Sequence, residues 1–246
     1  MIGRTIRKLR RACGNLEKVR HLPDPTFDCV QLALAYFIRS GLSGTFVQVG
    51  ACDGKSGDPV HGLVASGKIP AVLLEPISPV FQRLEQAYKG VPNLTLVQAA
   101  IGDSDGQLVL YKVKQGGHSI DPFWAAQIAS FDKQHLIKHG VEESEIEEVT
   151  VPCLTLETLM SRWAVRKIGF LQIDAEGYDA EIVRMALRLD SPPEFINFEN
   201  VHLSEGSAID DLFCELSAAG YSWMHDKWNT LALQQSVVSR WTSIDI

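Results

Sequence analysis

A chain of 246 residues, 46% of them apolar, suits one large domain with a sizeable core, and it has no run of about 18 apolar residues that would predict a membrane span. The net charge of −7 is uneven, +6 over residues 1–22 and −13 beyond them, and an acidic body excludes nucleic acid as the main partner. Five scattered cysteines (Cys13, Cys29, Cys52, Cys153 and Cys214) form no CxxC pair and no zinc spacing, which fits free thiols in a reducing cytoplasm.

The basic N-terminus is followed by no apolar stretch or cleavage site, so no secretory signal is expected. It reads as a solvated helical leader, with weak contact to an anionic surface as the alternative. Residues 1–40 are thus expected to form a helical extension and 41–246 the main domain. Phe27–Arg39 has helical periodicity, with Val30, Leu34 and Phe37 on one face. Thr45–Val49 predicts a strand. Asp58-Pro59 reads as a cap-plus-proline helix start, with the helix stopping near Gly67. Ala71–Leu74 predicts a second strand, Ser78-Pro79 another capped start to a helix reaching Tyr88, and Leu94–Gln98 a third strand.

Gly106–Val113 alternates and reads as an arm of a hairpin with its neighbour. Gly116–Val149 is the least regular stretch, and its acidic cluster (Glu142, Glu143, Glu145, Glu147, Glu148) reads as a solvated face. Thr155–Trp163 is helical, Ile168–Ile173 a strand, Asp179–Leu189 a helix and Phe195–Phe198 a strand. Ser207 and Asp210 resemble a capping box for a helix with Leu212 and Leu216 on its apolar stripe, ending at Gly220. Tyr221–Trp223 and Thr230–Leu233 are the last strands. Strands alternating with helices predict a parallel sheet wound on both faces, with chemistry outside the carboxyl ends of the strands.

Those ends carry the candidate residues. Gly50 and Gly54 after the first strand suit a sharp turn and close approach to a ligand, although any βα turn favours glycine. Glu75, at the end of the second strand and 21 residues after Gly54, suits a bond to ribose hydroxyls; its alternative is a plain turn carboxylate. The small residues of Gln98-Ala99-Ala100-Ile101-Gly102 suit a slot for a flat ring, or ordinary core packing. Asp174 tips the fourth strand, with Glu176 next to it and Asp179 as a potential helix cap. Glu199 and His202 follow the fifth strand and face the same edge.

Together the segments VQVGACDGKSGDP, LLEPISPVFQRL, NLTLVQAAIGD, IASFDKQHL, LTLETL, LQIDAEGYDAEI and INFENVHL resemble the FkbM family of S-adenosylmethionine (SAM)-dependent methyltransferases, from about Thr45 to Leu233. The resemblance implies a Rossmann-like class I methyltransferase fold: a mostly parallel sheet of seven strands whose last strand is antiparallel. It implies SAM as cofactor and methyl transfer to a hydroxyl of a sugar or natural product. Carried over, Gln48, Gly50, Ala51, Asp53 and Gly54 surround the cofactor's amino-acid end, Glu75 with Pro76 holds the ribose, Ala100 and Ile101 flank the adenine, and Asp174 faces the sulfonium. Many relatives have an acid where Gln48 stands and Asn where Cys52 stands.

An alcohol must lose its proton at or near attack. His202 is the first candidate base and Asp174 the second, with Glu199 orienting the histidine; no metal is invoked. Residues 116–149 are expected to form a lid over a small-molecule or glycan acceptor, with His118, Ser119, Phe123 and Trp124 lining it. Two rivals remain. A nicotinamide-dependent oxidoreductase is opposed by Cys52 where its fingerprint needs glycine; a catalytically lapsed binding protein of the same fold is the other.

Overall fold

The computed structural model describes residues 29–39, 44–117, 119–121, 125, 127–200 and 207–242. Of the expected N-terminal extension this includes helix α1 (Cys29–Arg39), which lays Val30, Ala33, Leu34 and Phe37 into the core. Among the described residues no helix is long and apolar enough to cross a membrane.

The main sheet has seven strands, β1 (Thr45–Val49), β2 (Ala71–Leu74), β3 (Leu94–Val97), β8 (Ile168–Ile173), β9 (Phe195–Glu199), β10 (Tyr221–His225) and β11 (Asn229–Gln234), in the order β3-β2-β1-β8-β9-β11-β10. All pairs from β3 to β9 are parallel; β11 runs antiparallel between β9 and β10. β2 and β8 are buried along their whole length, as strands covered on both faces must be. One face packs on α1, α2 (His61–Ala65), α3 (Ser78–Ala87) and α8 (Gln235–Thr242); the other packs on α5 (Leu156–Arg162), α6 (Asp179–Leu187) and α7 (Ser207–Ala218).

The register aligns a repeated pattern. Phe46, Phe170 and Phe195 pair across β1, β8 and β9, and two residues on, Gln48, Gln172 and Asn197 pair in the same way. Period-2 alternation puts both rows on the α1 face. The phenylalanines stack with centroids 5.5 Å apart and make a dry floor. The amides lie above them towards the carboxyl ends, and next on that face come Gly50, Asp174 and Glu199.

A second sheet, β4 (Ala100–Ile101), β5 (Gly106–Val113), β6 (Ala129–Ser130) and β7 (Ile146–Leu154), has the order β4-β7-β5-β6. Here the sequence expectations need correction. Gly106–Val113 is not only an arm paired with its neighbour: β5 pairs antiparallel with β6, the next strand along the chain, at Tyr111↔Ser130 and Lys112↔Ala129, and on its other side with β7 over eight residues, from Gly106↔Cys153 to Val113↔Ile146. Nor is the acidic cluster one solvated face. Glu147 pairs with Lys112 across the sheet, Glu143 pairs with Lys133 of α4 (Lys133–Lys138), and Glu145 accepts from the Ser119 hydroxyl. The stretch 116–149 thus carries a helix and most of a sheet edge.

Two helix starts also differ. α2 begins at His61, with Val60 as an uncapped N-cap, while the Asp58 carboxylate accepts from the Val60 amide at 2.9 Å one turn earlier. α3 begins at Ser78 with no side-chain cap, because its N-cap residue is Ile77, whose side chain has no acceptor; the Ile77 amide donates to Glu75 at 2.8 Å. The helix expected over Thr155–Trp163 forms as α5, with Thr155 as its N-cap accepting from Thr158 at 3.0 Å.

Candidate active site

The strand order reverses direction between β1 and β8, and a crevice at that switch point is where an open α/β sheet holds its ligand. The sharp turn after β1 makes it. Gly50 has φ +79°, and a Cβ there would stand 1.8 Å from the Asp174 carbonyl oxygen, so only glycine lets the two strand tips meet. The Asp174 amide in turn donates to Val49 at 3.0 Å.

A first hollow opens over these tips. Gly50, Glu75, Pro76, Ala100, Ile101 and Asp174 line it, and Leu110, Gln127, Ala129 and Phe131 roof it from the second sheet. Glu75 is buried, and each of its oxygens accepts a backbone N–H, from Cys52 at 3.1 Å and from Ile77 at 2.8 Å. Burial pushes its carboxyl up to about 7 even so. Burial and then the Glu75 charge push the Cys52 thiol up to about 12, so Cys52 stays protonated and is no nucleophile.

The roof is tied to the floor. The Ser130 hydroxyl donates to the Glu176 carbonyl at 2.6 Å, and His135 Nε2 lies 3.1 Å from the Glu176 carboxylate. Glu176 sits at φ +49°, a left-handed conformation rare for a residue with a side chain, and both ties hold it there.

A second hollow lies on the other side of Asp174, about twice as roomy (1360 against 670 Å³, open mouths included). Gln172, Asp174, Glu199, Asp226, Trp228 and Asn229 line it, with Val30 of α1 and Gly57 and Pro59 at its rim. Asp174 therefore opens onto both hollows. Although its side chain is exposed there, the protein packed round the tip, followed by the carboxylates of Glu176, Asp179, Glu199 and Asp58, holds its carboxyl well above the ordinary range. Asp179, the first residue of α6 and not its cap, is buried and joins the tips of β8 and β9: one oxygen accepts from Ala175 and the other from Glu199, both at 3.3 Å. Burial and the Glu199 charge push it up to about 7.

The sequence-derived residues divide accordingly. Gly50, Glu75, Pro76, Ala100, Ile101 and Asp174 meet around the first hollow, and Glu199 reaches the second. Gln48 is buried beneath the tips, and its Oε1 has no hydrogen-bond partner. Ala51, Asp53 and Gly54 line neither hollow. Ala51 packs in the core, its amide bound to Leu74. The Asp53 carboxylate is consumed by its own turn, taking the amides of Lys55 and Ser56 and the Ser56 hydroxyl, which lower its pKa against the opposing effect of burial. Gly54 faces the rings and methyls of Tyr88 and Leu84, where a Cβ would stand 2.4 Å from Tyr88. Ser119 bonds Glu145 and the Glu142 amide and lines neither hollow. His118, Phe123, Trp124 and His202 lie outside the described residues.

Sequence reasoning missed the amides Gln172, Asn197 and Asn229; it expected the stretch containing Gln127–Phe131 as a lid over the acceptor, and in the structure Gln127, Ala129 and Phe131 roof the first hollow. The amides had a signal: Phe-x-Gln-x-Gly, Phe-x-Gln-x-Asp and Phe-x-Asn-x-Glu end three strands, a shared period of two visible once the strands are set side by side.

The chain matches the family model described as the methyltransferase FkbM domain over residues 48–222. No curated protein matches it. Among solved structures it is similar to an O-methyltransferase from Bacillus cereus in complex with SAH (12% identity, 89% of this chain and 87% of that one, TM-score 0.43). It is also similar to a putative O-methyltransferase from Klebsiella pneumoniae (13% identity, 93% and 94%, TM-score 0.41) and to a precorrin-6y C5,15-methyltransferase from Geobacter metallireducens (12% identity, 86% and 92%, TM-score 0.41). Likenesses this distant decide nothing about the acceptor. The family match spans most of the domain, including the tips of β1, β2, β8 and β9: the chain belongs to the FkbM methyltransferases, and its methyl donor is S-adenosylmethionine.

Proposed function

We propose that the protein methylates a hydroxyl oxygen of a sugar or natural-product acceptor, with the donor in the first hollow and the acceptor in the second. The observation that carries this is Asp174, which alone with its strand tip borders both. The residues of the first hollow fit the donor. Glu75 has lone pairs left for ribose hydroxyls after its two backbone bonds, and Ala100 and Ile101 offer a flat apolar slot; beneath the tips, outside the hollow's lining, the buried Gln48 has an unpartnered Oε1. Gly50 keeps the turn low enough for close approach.

The donor supplies an electrophilic methyl carbon; the C–S bond breaks as the C–O bond forms, and the hydroxyl proton leaves to a base. What the chain adds is alignment, worth about 7–11 kcal/mol where the reacting atoms are well oriented, and proton removal, worth about 10²–10⁴-fold. His202 is the first choice of base and Asp174 the second. A carboxyl held well above the ordinary range is a stronger base than a solvated one, which favours Asp174 for the role if His202 is dispensable. Glu199 orients the histidine and shapes the wall of the acceptor hollow.

The test is to incubate the protein with SAM and a panel of sugar nucleotides and other polyols and to seek the mass gain of one methyl. A methyl found on nitrogen or carbon in every productive reaction would overturn O-transfer. His202→Ala should lower kcat about 10²–10⁴-fold with SAM affinity unchanged. If that variant keeps its turnover and Asp174→Asn loses it, the base is Asp174.

A further inference from the structure

The roof of the first hollow grips one turn of the floor at three consecutive residues. The Ser130 hydroxyl donates to the Glu176 carbonyl at 2.6 Å, the His135 ring lies against Gly177, and the Phe131 ring lies against that of Tyr178 with centroids 4.5 Å apart. Gly177 has φ +95°, and a Cβ there would stand 3.1 Å from His135 Nδ1, so a residue without a side chain lets the imidazole settle on the turn. His135, buried on α4, places its Nε2 3.1 Å from Glu176 Oε2. A carboxylate only accepts, so Nε2 carries the proton of that bond.

The turn so held borders the slot assigned to the adenine. Ala129 and Phe131, on either side of Ser130, line the hollow with Ala100 and pack with it in one apolar cluster. Glu176 lines the same hollow. His135 occupies its Oε2, and no described residue donates to its Oε1. The hollow's other polar side chains are placed differently. Glu75 stands at the ribose position, Asp174 opens also onto the second hollow, the Cys52 thiol is a weak hydrogen-bonding group, and Gln127 is shared with a further groove towards Arg83 and Lys114. Glu176 is the polar side chain that the roof itself fixes, and a site reads a ligand best through groups already held in place.

We infer that Glu176 reads the base of the methyl donor, its Oε1 accepting from the exocyclic amine of adenine, and that His135 is the positioning residue that holds it for this. The inference rests on the donor's place in the first hollow and adds what selects its base. The exocyclic amine is the one N–H donor on the edge of an adenine joined to ribose; the ring nitrogens there are acceptors. A carboxylate that only accepts therefore has one partner on this base. Hypoxanthine carries a carbonyl in the place of the amine and sets oxygen against oxygen. A site built on such a bond rejects the analogue that lacks it, because its own polar group is then left unpaired.

The test is calorimetric titration with SAH and, separately, with S-inosylhomocysteine, the same molecule with hypoxanthine for adenine. The wild type should bind SAH at least about 10-fold more tightly. Glu176→Gln, whose amide can donate to the carbonyl as well as accept, should bring the two ligands within about 2-fold. His135→Leu should narrow the gap in the same way, and His135→Gln, with an amide nitrogen near the place of Nε2, should restore it. A purely structural role for His135 would weaken both ligands alike and leave their ratio unchanged, as Glu75→Ala should do because both ligands carry the ribose. Equal affinity of the wild type for the two ligands, or a wild-type ratio in Glu176→Gln, would overturn the base reading, while a loss of SAH affinity in Glu75→Ala upholds the donor's place. A wild-type ratio in folded His135→Leu would overturn the role given to His135. Failure of SAH itself to bind would overturn both the inference and the reading beneath it.

Discussion

Glu75 is the residue whose local chemistry makes the sharpest demand. A buried carboxyl with a pKa near 7 is partly protonated at neutral pH, yet it faces the hollow where ribose hydroxyls are proposed to donate to it. Donors to a carboxylate favour its charged form, so donor binding near pH 7 should release protons. Calorimetry of SAM binding in two buffers of different ionisation enthalpy checks this: the apparent enthalpies should differ in the sense of release, and proton uptake would contradict it. Glu75→Ala should weaken SAM by about 1.5–3 kcal/mol and reduce the release. The residue's place in the crevice was legible as a strand-end acid 21 residues past a glycine. That it also holds the Cys52 and Ile77 amides was not legible, since a strand-tip carboxylate gives no sign in sequence of which way its two oxygens turn. The same limit explains Asp53, which looks like a ligand residue in the motif and instead closes its own turn through Lys55 and Ser56. Short polar side chains in tight turns are drawn to the nearest backbone amides before any ligand arrives.

At the scale of elements, the crevice is a joint between two sheets. The main sheet supplies the tips, and β5, β6 and β7 supply a roof held by Ser130 and His135 on Glu176. A cofactor between floor and roof should therefore quieten the roof. Hydrogen exchange should slow over Gln127–Phe131 when SAH is added, and Ser130→Ala, losing a hydrogen bond worth about 0.5–1.5 kcal/mol, should speed exchange there in the bound protein. Unchanged exchange over this segment would separate the roof from the cofactor site. Gly50→Ala probes the floor: at φ +79° with a backbone oxygen 1.8 Å from the new Cβ, it should lower stability and abolish SAM binding, seen by thermal melting with and without ligand. The parallel strands were legible because burial on both faces writes them as continuous apolar runs. β7 was not. Its Glu148, Thr150 and Pro152 share an exposed face, and its partner β5 lies more than thirty residues upstream, so its alternation looks like a charged loop until the pairing is seen.

Across the whole molecule the carboxyl ends of the strands concentrate negative charge that the fold itself would be better without. Asp58, Asp174 and Asp179 all have raised pKa values, by the protein packed round them first; the charges of Glu176, Asp179, Glu199 and Asp58 add to this at Asp174, those of Glu199 and Glu176 at Asp179, and that of Asp53 at Asp58. A carboxyl whose pKa is higher in the folded chain than its unfolded value of about 3.9 holds a proton more tightly when folded. Its stabilising share is complete below that unfolded value and is lost as pH rises through the folded one, here towards and past 7 for Asp179 and in the same direction for Asp174. The protein without ligand should thus melt at a lower temperature at pH 8 than at pH 6, and a cationic ligand in the crevice should recover part of the difference. Asp174→Asn separates this from the chemistry. It removes one charge from the cluster without changing side-chain size, so its melting temperature should exceed that of the wild type at pH 8, with the gap closing towards pH 5 as the wild-type carboxyl protonates. Turnover should fall in the same variant, because Asp174, alone among the described residues, borders both hollows in which donor and acceptor are proposed to sit. A variant as stable as the wild type at both pH values would mean that the tip carboxylates do not repel one another. A variant that is more stable and fully active would free Asp174 from the reaction and leave proton removal to His202, whereas a more stable and inactive one would show a site kept at the expense of the fold around it.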